Sequence, residues 1–161
     1  MVLQRKATEE DLENVWNMNI ADHPEDSRWK KWKQEYIGYN RSGEAVTFVV
    51  IWNGRAVGEG TLLFSPACEA VGGRKALADG IAVANMNALR IRKECEGKGY
   101  ISAMIRQMEQ YARENGYTRL TIGVEAAETR NLGIYLHWGY NEFVMAETEE
   151  NTLILYYAKN L

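Results

Sequence analysis

Residues 94–105 read Glu-Cys-Glu-Gly-Lys-Gly-Tyr-Ile-Ser-Ala-Met-Ile, a lysine between two glycines directly ahead of an apolar run with helical spacing. A strand that turns through Gly97-Lys98-Gly99 into a helix leaves several backbone N–H groups unpaired at a positive helix end. Glycine lets the backbone approach an anion closely, and Lys98 adds a cation, so the chemistry on offer is phosphate binding. The same glycine pair also serves as a plain turn. Neither the Lys-Ser/Thr ending of a phosphate loop nor a GxGxxG fingerprint is present, which counts against nucleotide hydrolases and dehydrogenases.

The elements that must position this loop follow from periodicity. Residues 2–7 suit a strand, and Thr8 with Asp11 opens a helix through Leu12, Val15, Trp16 and Met18 to about Ile20 with a capping-box pattern. Trp29, Trp32, Tyr36 and Ile37 mark a second amphipathic helix, expected to end at the Gly-Tyr-Asn of residues 38–40. Its basic cluster, Arg-Trp-Lys-Lys-Trp-Lys at 28–33, reads as one wet and one buried face. Two β-rich runs joined by Asn53-Gly54 predict a hairpin, residues 65–76 a loop, and a strand closes in Ala88–Arg92. Ile101, Met104, Ile105, Met108 and Ala112 predict the clearest helix, stopped by Gly116. A strand at 118–124, a short helix at 129–138 closed by Gly139, and a final hairpin complete an α+β sheet with helices on its faces.

A chain of 161 residues, 46% of them hydrophobic, can bury the core of one domain, and the whole span 1–161 reads as such. Nineteen Lys and Arg against 22 Asp and Glu leave a net charge of -3, without the one-sided basicity of a nucleic-acid binder. Cys68 and Cys95 are too few for a disulfide framework and lack metal-ligand spacing, which fits a reduced, cytoplasmic setting. No signal pattern opens the chain, and no run approaches the roughly 20 apolar residues of a membrane span, so neither membrane nor metal is expected.

In its strand, glycine loop and helix (LRIRKECEGKGYISAMI) and in the later strand and helix (LTIGVEAAETRNLGIYLHWGY), the chain resembles the GNAT superfamily of acyl-CoA-dependent N-acetyltransferases. The likeness extends over nearly the whole length. It implies a mixed, largely antiparallel central sheet with helices on both faces and two N-terminal helices. It also implies acetyl-CoA or coenzyme A as co-substrate, with the pyrophosphate on the backbone N–H groups of residues 97–102. That family's loop reads Arg or Gln, two residues, Gly, one residue, then Gly or Ala. The register Glu96-Gly97-Lys98-Gly99-Tyr100-Ile101, followed by Ser102, departs from it at Glu96 and Ile101. The pantetheine arm is expected along Leu89, Arg90 and Ile91, on a strand splayed from its neighbour at 120–124.

At the thiol end the family carries a tyrosine shortly before a Gly-aromatic pair, and Tyr135 precedes Gly139-Tyr140 at the matching distance. A phenol there can protonate the departing thiolate; its plain alternative is packing with Leu132 and Trp138. Asn131 stands in for the family's asparagine, whose own position holds Glu128. An alkyl amine, with a pKa of about 10, must lose a proton before attack. Where some relatives place a strand glutamate, this chain has Asn85 and Asn87, leaving Glu125, Asp79 and Glu59 as candidate bases, each expected to be an ordinary surface carboxylate. His137 is expected at the surface too. Trp16, Trp29, Trp32, Tyr36 and Tyr39 crowd the N-terminal helices, chiefly as core.

The resemblance therefore implies acetyl transfer to a primary amine of a small molecule or peptide by direct attack in a ternary complex, with a homodimer left open. Glu96, Ile101 and the missing strand glutamate keep a second reading alive, a catalytically degenerate acyl-CoA-binding sensor or interaction module. An unrelated phosphate ligand rests on the glycine loop alone.

Overall fold

A computed structural model describes residues 1–161. It is an α+β fold with a seven-stranded sheet in the order β1-β2-β3-β4-β5-β7-β6. The chain divides into two compact units, Met1–Leu62 with Ala88–Gln110, and Leu63–Asn87 with Tyr111–Leu161.

In the first unit, β1 (Val2–Lys6) pairs antiparallel with β2 (Ala45–Trp52) from Val2↔Trp52 to Lys6↔Phe48. Helix α1 (Glu9–Asp22) starts at a complete capping box: Asp11 N–H donates to Thr8 Oγ1 at 3.1 Å and Thr8 N–H to Asp11 Oδ2 at 2.9 Å. Arg5 holds the same carboxylate at 3.0 Å. Helix α2 (Arg28–Ser42) runs past the expected stop at residues 38–40 and ends at Gly43, whose φ of 81° is left-handed. One glycine costs a helix interior only about 1 kcal/mol, and Asn40 turns its amide back to Tyr36 O at 2.8 Å rather than capping. Trp29 and Trp32 lie half-buried while Lys30 and Lys31 face solvent, the expected two-faced helix.

Asn53 and Gly54, both at positive φ, make the tight turn between β2 and β3 (Arg55–Leu63). Strand side chains alternate between faces. Glu59 reaches Asn19 of α1, whereas a Cβ on Gly60 would meet Met104 and Met108 of α3 (Tyr100–Glu114). Helices α1 and α3 therefore cover opposite faces of this sheet. Val15, Trp16, Leu62, Met104 and Met108 form its core.

Strand β4 (Val83–Ile91) begins in the second unit, where it runs parallel to β5 (Arg119–Glu125), but the ladder extends only from Val83↔Arg119 to Met86↔Ile122. Ala88 follows two residues later with φ 56°, a conformation foreign to regular strand. Strand β5 pairs antiparallel with β7 (Thr152–Asn160), and β7 with β6 (Glu142–Glu149), which carries a bulge between Phe143 and Met145. Helix α4 (Thr129–His137) stops before Gly139, and Tyr140 beyond it is fully buried. No helix is long and apolar enough to cross a membrane.

Candidate active site

The glycine loop begins after a single 3-10 turn at Lys93–Cys95 that tucks Cys95 into the core. Gly97 (φ 73°) and Gly99 (φ 79°) are both left-handed, and a Cβ on either would meet nothing within 4 Å. Glycine is thus needed here for backbone conformation, and the space above both residues is open. The first bond of α3 runs from Ala103 N–H to Gly99 O at 3.0 Å. The N–H groups of Gly99, Tyr100, Ile101 and Ser102 consequently have no acceptor within the helix, at its positive end. Glu96 and Lys98 are exposed beside them, and Ile101 and Ser102 half-buried. Such a cradle accepts a phosphate or pyrophosphate.

Tyr135 lies on α4, held by the bond from Tyr140 N–H to its carbonyl at 3.0 Å and by the Trp138 ring, 5.8 Å between centroids. Burial raises its phenol above the usual tyrosine range, and the Glu128 carboxylate pushes the same way. The hydroxyl therefore stays a proton donor through neutral and mildly alkaline pH. Asn131 donates to Glu128 Oε2 at 2.8 Å, which fixes its amide end.

The candidate bases part company. Glu125, at the end of β5, is exposed, as is His137. Asp79 Oδ1 accepts from Ile81, Ala82 and Val83 N–H at 2.8, 2.8 and 2.9 Å. Burial opposes its charge, but these donors outweigh it and hold the carboxyl below the usual range, so Asp79 is a turn-forming residue and a poor base. Asn85 donates to Thr121 Oγ1 at 2.9 Å inside the core. Glu59 is no surface carboxylate at all, with 1% of its side chain exposed. Its strand is buried on both faces, which alternation alone does not reveal.

The model of the acetyltransferase (GNAT) family matches residues 8–140. The chain belongs to that family. No curated protein is a significant match. Among solved structures, a ribosomal-protein-alanine N-acetyltransferase from Brucella melitensis is 18% identical with a TM-score of 0.72, covering 99% of both chains. The PaiA N-acetyltransferase from Thermoplasma acidophilum, solved in complex with coenzyme A, is 15% identical with a TM-score of 0.65, covering 100% of this chain and 99% of that one. An acetyltransferase from Salmonella typhimurium that modifies the N-terminal serine of ribosomal protein L7/L12 is 11% identical with a TM-score of 0.70, covering 99% and 95%. At these identities the likeness is one of fold.

Two features of this GNAT chain were not read from its sequence. Arg106 donates to Ser102 Oγ at 3.1 Å, placing a second cation on the first turns of α3; its spacing of four residues from Ser102 was the available signal. The other is the setting of Glu59. Asn19 Nδ2 donates to its Oε2 at 2.6 Å, and Arg90 Nη1 lies 3.2 Å from the same oxygen. Burial raises the Glu59 carboxyl above the usual range, against the lowering effect of Arg90 and Asn19. The Arg90 guanidinium sits over the Trp16 ring at 5.4 Å and the Trp29 ring at 4.7 Å, and His23 stacks on Trp29 at 4.0 Å. The side chain of Arg90 is thereby committed to this cluster.

Proposed function

We propose that this GNAT chain transfers the acetyl group of acetyl-CoA to a primary amine by direct attack in a ternary complex. The observation that carries this reading is the run of open N–H groups from Gly99 to Ser102 at the start of α3, with Lys98 and Arg106 beside it. These groups suit a pyrophosphate, and the main chain of Leu89, Arg90 and Ile91 is proposed for the pantetheine arm. When bound, acetyl-CoA supplies a thioester carbonyl as electrophile and a thiolate as leaving group.

The residues supply the proton transfers. As the C–N bond forms and the C–S bond breaks, the Tyr135 hydroxyl is proposed to protonate the departing sulfur; its raised pKa keeps the proton on the phenol at neutral pH but makes it a weaker acid than a free tyrosine. The attacking nitrogen must shed a proton, for which Glu125 is the exposed candidate and Glu59 the buried one. Asn131 is proposed to contribute to the cofactor site through the amide oxygen that its bond to Glu128 leaves open.

Glu96, beside the loop where the family carries Arg or Gln, and Ile101 in place of a small residue favour a second reading, a module that binds acyl-CoA without turnover. Thiol release from acetyl-CoA across a panel of amines, polyamines, amino acids and peptides separates the two. Release that depends on an acceptor supports the enzyme. Binding of acetyl-CoA with no release across the panel supports the module.

A further inference from the structure

The buried side-chain polar atoms that make no hydrogen bond are Trp16 Nε1, Glu59 Oε1 and Arg90 Nη1, and all three belong to one cluster in the first unit. Buried polar groups are rarely left unpaired, because each then loses its hydration with no partner in return. Here both partners of Glu59 converge on Oε2, leaving Oε1 bare. Arg90 Nη1 lies within ion-pair distance of Oε2, but without the alignment of a hydrogen bond. No protein group takes the Nε or Nη2 of Arg90, whose side chain is 32% exposed. The orphans are thus two donors and one acceptor, around a guanidinium that lies against two neighbouring indoles.

That set has a definite complement. A rigid guanidinium with a free edge receives a carboxylate bidentately, and an indole N–H only donates. A bare carboxylate oxygen receives an ammonium. Because Glu59 and Arg90 already balance each other, a lone cation or a lone anion would leave one charge buried in excess, whereas a ligand carrying both signs would not. We propose that the Trp16–Glu59–Arg90 cluster is the recognition site for the acceptor, and that the acceptor is an amine bearing a carboxylate a few bonds from its nitrogen. The carboxylate pairs with Arg90 and the amine with Glu59 Oε1. Trp29 is half-buried against the Arg90 guanidinium and stacks on the exposed ring of His23, so its environment is expected to change when the ligand binds.

The assignment rests on the acetyl-transfer reading for its location, since Arg90 belongs to the segment proposed for the pantetheine arm. Its test has two arms on the intact protein saturated with coenzyme A or acetyl-CoA. In the first, tryptophan emission is followed while each of the common amino acids, its carboxamide and its decarboxylated amine are titrated in. In the second, thiol release is measured with the same compounds. At least one amino acid is expected to perturb the emission, and to exceed its amide and its amine in kcat/KM by tenfold or more. Arg90→Gln is expected to erase that advantage, and Arg90→Lys, which keeps the charge, to restore part of it. Amides or simple amines turned over as well as the acids would overturn the site while leaving acetyl transfer intact, as would a preference that survives Arg90→Gln. If no compound releases thiol, the acetyl-transfer reading falls and the emission arm alone decides the site: an amino acid that perturbs the indoles where its amide does not upholds it, and no such difference refutes it.

Discussion

Tyr135 combines a free hydroxyl, a ring packed on Trp138 and a phenol raised by burial and by Glu128. Replacing it with phenylalanine keeps the ring and removes only the donor. Tyr135→Phe is expected to lower turnover by about 10²-fold with acetyl-CoA affinity little changed, measured with an acceptor that the parent acetylates. Turnover equal to the parent across the pH range would mean that water protonates the sulfur unaided. Asp79 illustrates the opposite use of a side chain, a carboxylate spent on three backbone N–H groups. Its folded pKa lies below the ordinary 3.8, so its stabilisation is present above that pH and is lost as pH falls through the folded value. Asp79→Ala is expected to cost about 1–3 kcal/mol near neutral pH, and denaturant melts of parent and variant should converge below pH 3.8. A gap that persisted under acid would point to packing instead of charge.

At the scale of elements, periodicity and punctuation carried the sequence a long way. The Thr8–Asp11 box, the Asn53-Gly54 turn and the Gly116 stop all lie where their local chemistry puts them, because each is decided within a few residues. The end of α2 is not legible locally, because Gly38 and Asn40 have the chemistry of a stop and only the fold brings the Asn40 amide to Tyr36 and Thr47. Burial of Glu59 was not legible for a related reason: its partners Asn19 and Arg90 are 40 residues before it and far downstream, brought together only by the sheet. Close approach between strands is equally hidden. A Cβ on Gly123 of β5 would lie 2.8 Å from the Tyr156 ring of β7. That ring is pinned by its hydroxyl, which donates to Glu149 at 2.6 Å, and by Arg74 5.1 Å from its centroid. Gly123→Ala is therefore expected to cost about 1–3 kcal/mol of stability, read as a lower melting temperature. An unchanged melt would show that the ring moves aside freely.

For the molecule as a whole, a net charge of -3 offers no general attraction to an anionic cofactor, so affinity for coenzyme A must come from the local cradle. The loop itself was legible, since Gly97-Lys98-Gly99 ahead of a helix is a local pattern, whereas Arg106 entered only once the helix placed it beside Ser102. Calorimetric titration of coenzyme A into the parent and into Lys98→Ala/Arg106→Ala tests the central claim most directly, because both side chains are exposed and their loss leaves the core untouched. The parent should bind one equivalent, and the double variant should bind about tenfold more weakly at an unchanged melting temperature, two surface charge contacts together amounting to about 1.4 kcal/mol. No heat with the parent, or equal affinity in the two proteins, would contradict the placement of the cofactor on the 97–102 loop.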